Sequence, residues 1–347
     1  MPHFFDYELP TRLIAQYPAE PRDSARLLVA RRGSTALAHH IVRDLPELLQ
    51  AGDLLVLNDT KVLPARLIGQ REGTGGKWEA LYLKTVETGD WEVLAQTRGF
   101  ANLGERFMTD NGLTLILTGR TDDRHWLMKP EASESAMELL VKHGQIPLPP
   151  YIRKGKAHSS DIERYQTVYA THSGSVAAPT AGLHFTPELF ERLKTAGITT
   201  ARVTLHVGLG TFAPIKAEDP TQHAIHAEWC EVTEETVEAI RSTKARGGRV
   251  IAVGTTTVRT LETAARPEAL KPYRGESHLF IHPPFEFRVI DGLFTNFHLP
   301  QTTLLLMVQA LTGADALKAI YSEAIAREYR FYSYGDAMLY LNPAVTA

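Results

Sequence analysis

A run of small residues from Gly174 to Gly182 is followed by His184 and Phe185, directly before a predicted helix start at Thr186. Small residues let a backbone approach a ligand closely, and histidine adds a ring that titrates near neutral pH. The pattern therefore predicts a ligand loop with a proton-transfer group. Composition alone is equally consistent with a ligand loop and with a tightly packed loop whose histidine caps the helix.

Two further histidines lie beside predicted strands and turns. His206 opens the segment His-Val-Gly-Leu-Gly-Thr-Phe after a β-rich run, and α/β folds bind ligands at such strand ends. As a dinucleotide fingerprint the segment is weak, because alanine takes the place of the third glycine and proline follows. His298 comes soon after Asn296, whose amide is suited to a base edge. Each of these residues, taken alone, is more often structural.

His223, His226 and Glu228 form an H-x-x-H-x-E pattern, which invites a metal interpretation because imidazole and carboxylate ligate zinc or iron. We disfavour it, since the chain has no H-E-x-x-H helix and its single cysteine, Cys230, lies outside the pattern. The same donors and acceptors would serve equally well to bind the hydroxyl groups of a polar substrate.

Residues 254–257, Gly-Thr-Thr-Thr, stand between a predicted buried strand and a predicted helix. Free backbone N–H groups at such a helix start bind anions, so a carboxylate or phosphate fits there, although N-capping by one threonine explains the motif equally. Arg153, Lys154 and Lys156 form a basic segment with no acidic residue from 151 to 160. It is a candidate phosphate contact, although a solvated loop is the commoner explanation.

Predicted helices and strands alternate before residue 66 and after residue 150, and they position the residues named above. The region between them has a different pattern. A helix stopped at Gly52 and a buried strand from Leu54 precede it, whereas residues 66–150 show short alternating strands separated by glycine-rich turns. We predict an α/β fold, namely an α/β/α sandwich domain formed by residues 1–65 and 151–347, interrupted by an inserted small β-barrel at residues 66–150.

Composition excludes several classes of protein. The 347 residues are 44% hydrophobic and 22% charged, which is typical of globular chains long enough for two domains. The net charge of −3 gives no global positive field, so any RNA contact must come from local patches. One cysteine, an acidic amino terminus and the lack of a long apolar run predict a cytoplasmic protein that does not enter a membrane.

Taken together, the motifs resemble the S-adenosylmethionine:tRNA ribosyltransferase-isomerase family of queuosine biosynthesis. The resemblance covers nearly the whole chain. It rests on motifs in the family's order: Asn58-Asp-Thr-Lys-Val-Leu-Pro-Ala-Arg66, Tyr165-Gln-Thr-Val-Tyr, Ala178-Pro-Thr-Ala-Gly-Leu-His-Phe, Thr204-Leu-His-Val-Gly-Leu-Gly-Thr-Phe, Val253-Gly-Thr-Thr, Thr295-Asn-Phe-His-Leu-Pro and Tyr334-Gly-Asp-Ala-Met338.

The resemblance implies a reaction. The ribosyl part of S-adenosylmethionine, a consumed co-substrate, passes to the aminomethyl group of 7-aminomethyl-7-deazaguanine at the tRNA wobble position and is rearranged, giving epoxyqueuosine with release of adenine and methionine. No metal or other cofactor is expected, and a monomer is expected. It also implies an α/β/α domain with an inserted β-barrel, in agreement with the domain boundaries above.

We assign candidate residues from these motifs and from the needs of the reaction. The proton-transfer candidates are His184, His206 and His298. The substrate-binding candidates are Asp59, Thr180, Gly182, Phe185, Gly208, Gly210, Thr211, Phe212, His223, Glu228, Gly254, Thr255, Thr256, Thr257, Arg259 and Asn296. The tRNA-binding candidates are Arg66, Arg153, Lys154, Lys156 and Tyr165.

Two other classes stay open. A conventional S-adenosylmethionine methyltransferase would use the glycines after His206 and would give a methylated product without releasing adenine. A non-enzymatic RNA-binding protein would use the basic segment with Tyr151 and Tyr165, and would leave S-adenosylmethionine intact. The absent basic bias and the dense polar motifs favour the enzyme.

Overall fold

The computed structural model describes residues 5–208, 219, 223, 225–266 and 268–343. Within it the chain divides into two compact units, one formed by Met1–Lys61 and Glu163–Ala347 and the other by Val62–Ile162. We call them unit 1 and unit 2. The predicted boundaries lay at 65/66 and 150/151. Residues 62–65 and 151–162, which lie between the predicted and the observed boundaries, belong to unit 2. There the Ala65 carbonyl accepts from the Tyr82 N–H, and Ile152 is fully buried.

The strands, in chain order, are β1 (Arg26–Arg31), β2 (Leu37–Ile41), β3 (Leu54–Asn58), β4 (Thr60–Val62), β5 (Arg66–Arg71), β6 (Lys77–Thr85), β7 (Trp91–Thr97), β8 (Arg106–Thr109), β9 (Thr114–Arg120), β10 (Trp126–Pro130), β11 (His172–Ser175), β12 (Thr199–Leu205), β13 (Glu228–Val232), β14 (Val250–Val253), β15 (Tyr273–Ser277), β16 (Gly292–Asn296) and β17 (Ala337–Leu341). The α-helices are α1 (Leu45–Leu48), α2 (Ala136–His143), α3 (Asp161–Arg164), α4 (Pro187–Thr195), α5 (Glu234–Ala245), α6 (Thr255–Ala264), α7 (Thr303–Thr312) and α8 (Ala314–Ala326).

Unit 1 is built on a nine-stranded mixed sheet with the order β15-β13-β12-β3-β14-β16-β17-β1-β2. Its centre, β12-β3-β14-β16, is parallel. Every residue of β3, β14 and β16 is buried, as expected for the central strands of a sheet covered on both faces. The prediction that the strand from Leu54 pairs with strands beyond residue 150 is confirmed, because β3 lies between β12 and β14.

Three helices of unit 1, α4, α5 and α7, begin at a threonine whose side chain caps the first turn. The sequence predicts N-caps at Thr186 and Thr233, and both are confirmed. Thr186 accepts from the Leu189 N–H at the start of α4, and Thr233 accepts from the Thr236 N–H at the start of α5. The apolar face of α4 packs with Phe185 and with the sheet in one core cluster. Among the described residues no single helix is long and apolar enough to cross a membrane; α7 and α8 reach that length only as a pair bent by 116°.

Unit 2 contains a closed antiparallel barrel with the order β10-β7-β6-β5-β8-β9. Aromatic side chains fill it, with Phe107 in edge contact with both Trp78 and Trp126. The sequence predicts four strands here, beginning near Lys77, Trp91, Leu113 and Arg124, and it does not predict β5 and β8. The interior of β5 contains Gly69, and a Cβ there would lie 2.0 Å from the Met108 carbonyl oxygen, so this close crossing requires a residue of low strand propensity.

Candidate active site at the carboxyl edge of the sheet

The carboxyl ends of the central parallel strands bring together motifs that are far apart in the sequence. Asn58 ends β3, His206 follows β12, Gly254 follows β14, and Asn296 ends β16. Open α/β sheets bind ligands at this edge, because the loops leaving the strand ends frame a crevice there. The fold therefore places four of the predicted segments at one edge of one sheet.

Asn58 ties these segments together and is fully buried. Its Nδ2 donates to the Leu205 carbonyl over 3.0 Å and to the Thr256 hydroxyl over 3.2 Å. Its Oδ1 accepts from the backbone N–H groups of Leu205 and Thr60, at 3.0 and 3.1 Å. A single amide thus fixes the end of β12 against the start of α6, and leaves Asn58 without spare hydrogen-bonding capacity for a ligand.

Asp59 lies beside Asn58 and holds a cluster of polar side chains. Its Oδ1 accepts from the Thr204 hydroxyl over 2.7 Å, and its Oδ2 accepts from the Thr171 hydroxyl over 2.9 Å. The same Oδ2 lies 3.1 Å from Nδ1 of His172. The carboxylate is 7% exposed, whereas the imidazole is 61% exposed. Asp59 therefore orients a solvent-facing ring rather than meeting a ligand itself.

His206 is half-buried at the end of β12. Its Nδ1 lies 2.8 Å from the Thr60 hydroxyl, and its ring stacks on Trp229 with centroids 5.0 Å apart. A Cβ at Gly174 would lie 2.7 Å from its Nε2, so only glycine fits against the ring at that position. Burial first, and then the charge of nearby His172, lowers the pKa of His206. The imidazole is therefore neutral and fixed in orientation near neutral pH, as a proton acceptor should be.

His184 occupies the interior instead. It is 5% exposed, its Nε2 lies 3.1 Å from Nδ2 of Asn296, and its ring also hydrogen-bonds to the backbone of Arg22. Because Nδ2 is a donor, Nε2 is the acceptor and the other ring nitrogen carries the proton. Burial lowers the pKa of His184 to about 4. With both nitrogens engaged, the ring serves to position Asn296, whose Oδ1 has no partner among the described residues.

His298 is also interior, at 8% exposure, with its Nε2 2.9 Å from the Thr295 hydroxyl. Its backbone N–H donates to the Tyr321 hydroxyl over 2.9 Å. Burial lowers the pKa of His298 to about 4, so it too is neutral near neutral pH. Of the three predicted histidines, His206 is the one that combines partial exposure with a fixed orientation.

The start of α6 faces a small cavity. Gly254, with φ of 88°, precedes the helix and provides no side-chain cap, and the backbone N–H groups of residues 255–257 have no acceptor among the residues that the structure describes. The cavity has a volume of about 30 Å3 and is lined by His223, Ile225, His226, Glu228, Thr255, Thr256, Arg259, Phe280, Ile281, Thr303, Leu304 and Met307. A volume of this size holds a carboxylate or about two water molecules.

A buried ion pair forms one wall of this cavity. Nη1 of Arg259 lies 2.6 Å from Oε2 of Glu228, and both side chains are at most 8% exposed. The other carboxylate oxygen, Oε1, accepts from the Gly208 N–H over 2.8 Å. Arg259 also donates to the carbonyls of His226 and Ser277, each over 2.8 Å. Glu228 therefore fixes the backbone at Gly208, in the segment that follows β12.

The comparisons with known proteins agree with this arrangement of motifs. A family model described as "Queuosine biosynthesis protein" matches residues 3–340. The chain belongs to the queuosine biosynthesis family. It is 49% identical to the S-adenosylmethionine:tRNA ribosyltransferase-isomerase of Thermotoga petrophila, over 97% of this chain and 98% of the relative. It is 50% identical to the protein of that name from Symbiobacterium thermophilum, with the same coverage.

A solved structure also belongs with these relatives. The crystal structure of S-adenosylmethionine tRNA ribosyltransferase from Thermotoga maritima matches with a TM-score of 0.56 and 40% identity, over 97% of this chain and 99% of that one. Together with the sheet and the closed barrel, this match confirms the predicted fold class, an α/β/α domain and an inserted β-barrel.

Several residues assigned by the family resemblance have structural roles. Phe185 is fully buried and stacks on Phe190, so its ring is not open to an adenine. A Cβ at Gly182 would lie 2.0 Å from the Tyr169 hydroxyl, so the small residue serves close packing. Thr180 begins the short 3-10 helix that ends at His184. For this segment the tightly packed loop describes the structure better than an open ligand loop.

The remaining candidate site residues differ in where the structure places them. The side chain of Thr257 donates to the carbonyl of Val253, the last residue of β14. Gly210, Thr211 and Phe212 lie outside the described residues. His172, by contrast, was not predicted, because no local pattern marks it and only the pairing of β11 with β4 brings it to Asp59. Within the described ranges, no three or more His, Cys, Asp or Glu side chains are grouped to hold a metal ion.

The predicted tRNA contacts are corrected in part. Tyr165 is fully buried in edge contact with Tyr334, so it is not available to a base. The guanidinium of Arg153 lies 2.5 Å from Oδ2 of buried Asp161 and is 9% exposed, which commits it to an internal ion pair.

Arg66 is committed as well, because it lies 2.7 Å from Glu79 and also donates to the Gly155 carbonyl. Lys154 and Lys156 are exposed. Of the predicted basic residues, these two lysines keep their charge at the surface.

Proposed function

We propose that this chain transfers and isomerises the ribosyl moiety of S-adenosylmethionine onto the aminomethyl group of 7-aminomethyl-7-deazaguanine at the wobble position of tRNA. The products are epoxyqueuosine-tRNA, adenine and methionine. The observation that carries the proposal is the family match over residues 3–340, together with relatives of that name at 49% and 50% identity over nearly their whole length.

The reaction makes demands that the carboxyl edge of the sheet is suited to meet. A sulfonium acidifies the adjacent C5′ hydrogens, so a positioned base removes one of them to begin the rearrangement. We assign this step to His206, since it is neutral, half-buried and oriented by the Thr60 hydroxyl and the Trp229 ring. His184 and His298 act from the interior as positioning residues for Asn296 and for the segment after β16.

S-Adenosylmethionine is a consumed co-substrate in this proposal, and no other cofactor takes part. The first turn of α6 offers unpaired N–H groups beside the Glu228–Arg259 pair, which suits the methionyl carboxylate. The hydroxyls of Thr255 and Thr256 and the ring of His223 line the same cavity and suit the polar end of the substrate. The partner is a tRNA that already carries 7-aminomethyl-7-deazaguanine, and the protein acts as a cytoplasmic monomer.

The decisive experiment is incubation of the protein with S-adenosylmethionine and tRNA that contains 7-aminomethyl-7-deazaguanine (preQ1). Mass spectrometry of the nucleosides and quantification of adenine follow. The proposal predicts epoxyqueuosine and one adenine per modified tRNA. A methylated nucleoside with no free adenine would instead establish a methyltransferase, and unchanged S-adenosylmethionine with bound tRNA would establish a binding protein.

The assignment of His206 is tested by His206→Phe, which keeps a flat ring against Trp229 and removes the titrating nitrogens. Loss of a positioned base lowers the rate by roughly 10²- to 10⁴-fold, measured as single-turnover release of adenine. The matched control is His40→Phe on β2, at the far edge of the sheet, which should react as wild type does. Normal release from folded His206→Phe would assign the proton transfer to another group.

A further inference from the structure

Two arginine side chains donate hydrogen bonds to the backbone of residues 98–105, the loop between β7 and β8. Arg71 donates from Nη1 to the Arg98 carbonyl and from Nη2 to the Phe100 carbonyl, each over 2.9 Å. Arg120 donates from Nη2 to the Ala101 carbonyl over 2.8 Å. Three neighbouring carbonyls are thus satisfied from within unit 2, which fixes the path of the loop backbone.

Further contacts make this loop rigid. Glu105 lies 2.8 Å from Nη2 of Arg71 and accepts from the Asn102 N–H over 3.1 Å. Ala101 is 1% exposed and belongs to the core of the barrel. The side chain of Arg71 is only 9% exposed, so the ion pair with Glu105 is largely sheltered from solvent. Such contacts leave the loop little freedom to fold its apolar side chains inward.

The consequence is an apolar surface that the fold keeps outward. Phe100 is 74% exposed and Leu103 is 65% exposed, on either side of the buried Ala101. The guanidinium of Arg120 lies 5.1 Å from the centre of the Phe100 ring, and Arg98, two residues before Phe100 in the chain, is exposed. We call Arg98, Phe100, Leu103 and Arg120 the Phe100 platform.

The chemistry of this surface fits an unpaired nucleotide. Bases stack on exposed aromatic rings, and arginine side chains next to the ring meet both the base and the phosphates. A stable protein interface buries about 800 Å2 on each partner, which two apolar side chains do not supply. The acidic residues that follow Arg120 in the chain, Asp122 and Asp123, are exposed in the next turn. The local positive charge is therefore small, and stacking must supply most of the affinity.

We propose that the Phe100 platform stacks on an unpaired nucleotide of the tRNA substrate. The inference rests on the proposed function for the identity of the RNA, but it concerns a surface that lies wholly within unit 2. It assigns to the barrel a direct role in holding tRNA.

The test compares Phe100→Ala and Phe100→Trp with a control, Val141→Ala, whose side chain on α2 is 68% exposed. Equilibrium binding of preQ1-containing tRNA is measured by fluorescence anisotropy, together with KM for tRNA and KM for S-adenosylmethionine. Alanine at residue 100 should raise Kd and KM for tRNA by roughly 5- to 150-fold, the usual effect of losing one stacked base. KM for S-adenosylmethionine, and binding by Val141→Ala, should not change.

Two further readouts separate stacking from other roles. Phe100→Trp should bind tRNA as tightly as the wild type does. The fluorescence of the added tryptophan should be quenched by tRNA, as stacking requires. Arg98→Gln should lower the salt dependence of tRNA binding by about one phosphate contact.

Wild-type tRNA affinity in Phe100→Ala would overturn the inference while leaving the proposed activity intact. A change of oligomeric state in that variant, with tRNA binding unchanged, would instead make the platform a contact between two copies of the chain. Absence of epoxyqueuosine with the wild-type protein would refute the proposed function itself, whatever the platform does.

Discussion

Acidification should destabilise unit 1 through two interior histidines. Burial lowers the pKa of His184 and of His298 from 6.5 to about 4. The unfolded chain therefore binds these protons at a higher pH than the folded chain does. Stability is fully present above the ordinary pKa and is lost as pH falls through the window from 6.5 towards 4.

The magnitude follows from the shift of pKa. A shift from 6.5 to about 4 corresponds to about 3 kcal/mol when fully expressed, since one pKa unit is worth about 1.4 kcal/mol. At about pH 5 each histidine should already have lost about 2 kcal/mol of its contribution to the free energy of unfolding. His184→Gln keeps a neutral donor and acceptor near Asn296 and Arg22 but removes the titration.

The assay is urea unfolding, followed by far-UV circular dichroism, at about pH 7.5 and about pH 5. Between these conditions the wild type should lose about 2 kcal/mol more than His184→Gln does. The control is His278→Gln, whose side chain is 71% exposed and which should behave as wild type. An equal loss in wild type and His184→Gln would refute the assignment of His184 as a buried neutral ring, and would reopen its role as a proton carrier.

Two other substitutions test the buried ion pair and the surface lysines. Arg259→Met removes the ion pair of the buried Glu228 carboxylate and should cost about 3–5 kcal/mol in thermal or urea unfolding. Arg259→Met with Glu228→Gln should recover much of the loss, and no recovery would contradict the pairing. Alanine at both Lys154 and Lys156 should lower the salt slope of tRNA binding without changing the melting temperature. Arg153→Ala should instead lower the melting temperature, and a normal one would show that its pair with Asp161 contributes little.

The sequence predicted those parts of the fold that depend on local patterns. The all-apolar run of β3 and the threonine caps of α4 and α5 are signals carried by neighbouring residues, and the structure has all three. The two missed barrel strands carry weaker signals, because β8 has four residues and β5 contains a glycine. Their place in the barrel depends on closure with strands distant in the chain.

The site could be predicted only as a set of segments. The motifs at Asn58, His206, Gly254 and Asn296 each follow a strand, and the parallel order of those strands brings them to one edge. The sequence does not show which side chains point inward. Phe185 would look the same beside an adenine as it does inside the core, and only the packing against Phe190 and Phe294 decides between these positions.

The strand order has a consequence for synthesis on the ribosome. The barrel of unit 2 uses one continuous stretch of chain and is able to close soon after residue 162 emerges. The large sheet must wait much longer, because β17 lies between β16 and β1, with Leu27 paired to Ala337. Until residues 337–341 emerge, one edge of β1 stays unpaired, and unpaired strand edges recruit other chains. The newly made chain therefore carries a closed barrel and an incomplete sheet for about half of its translation.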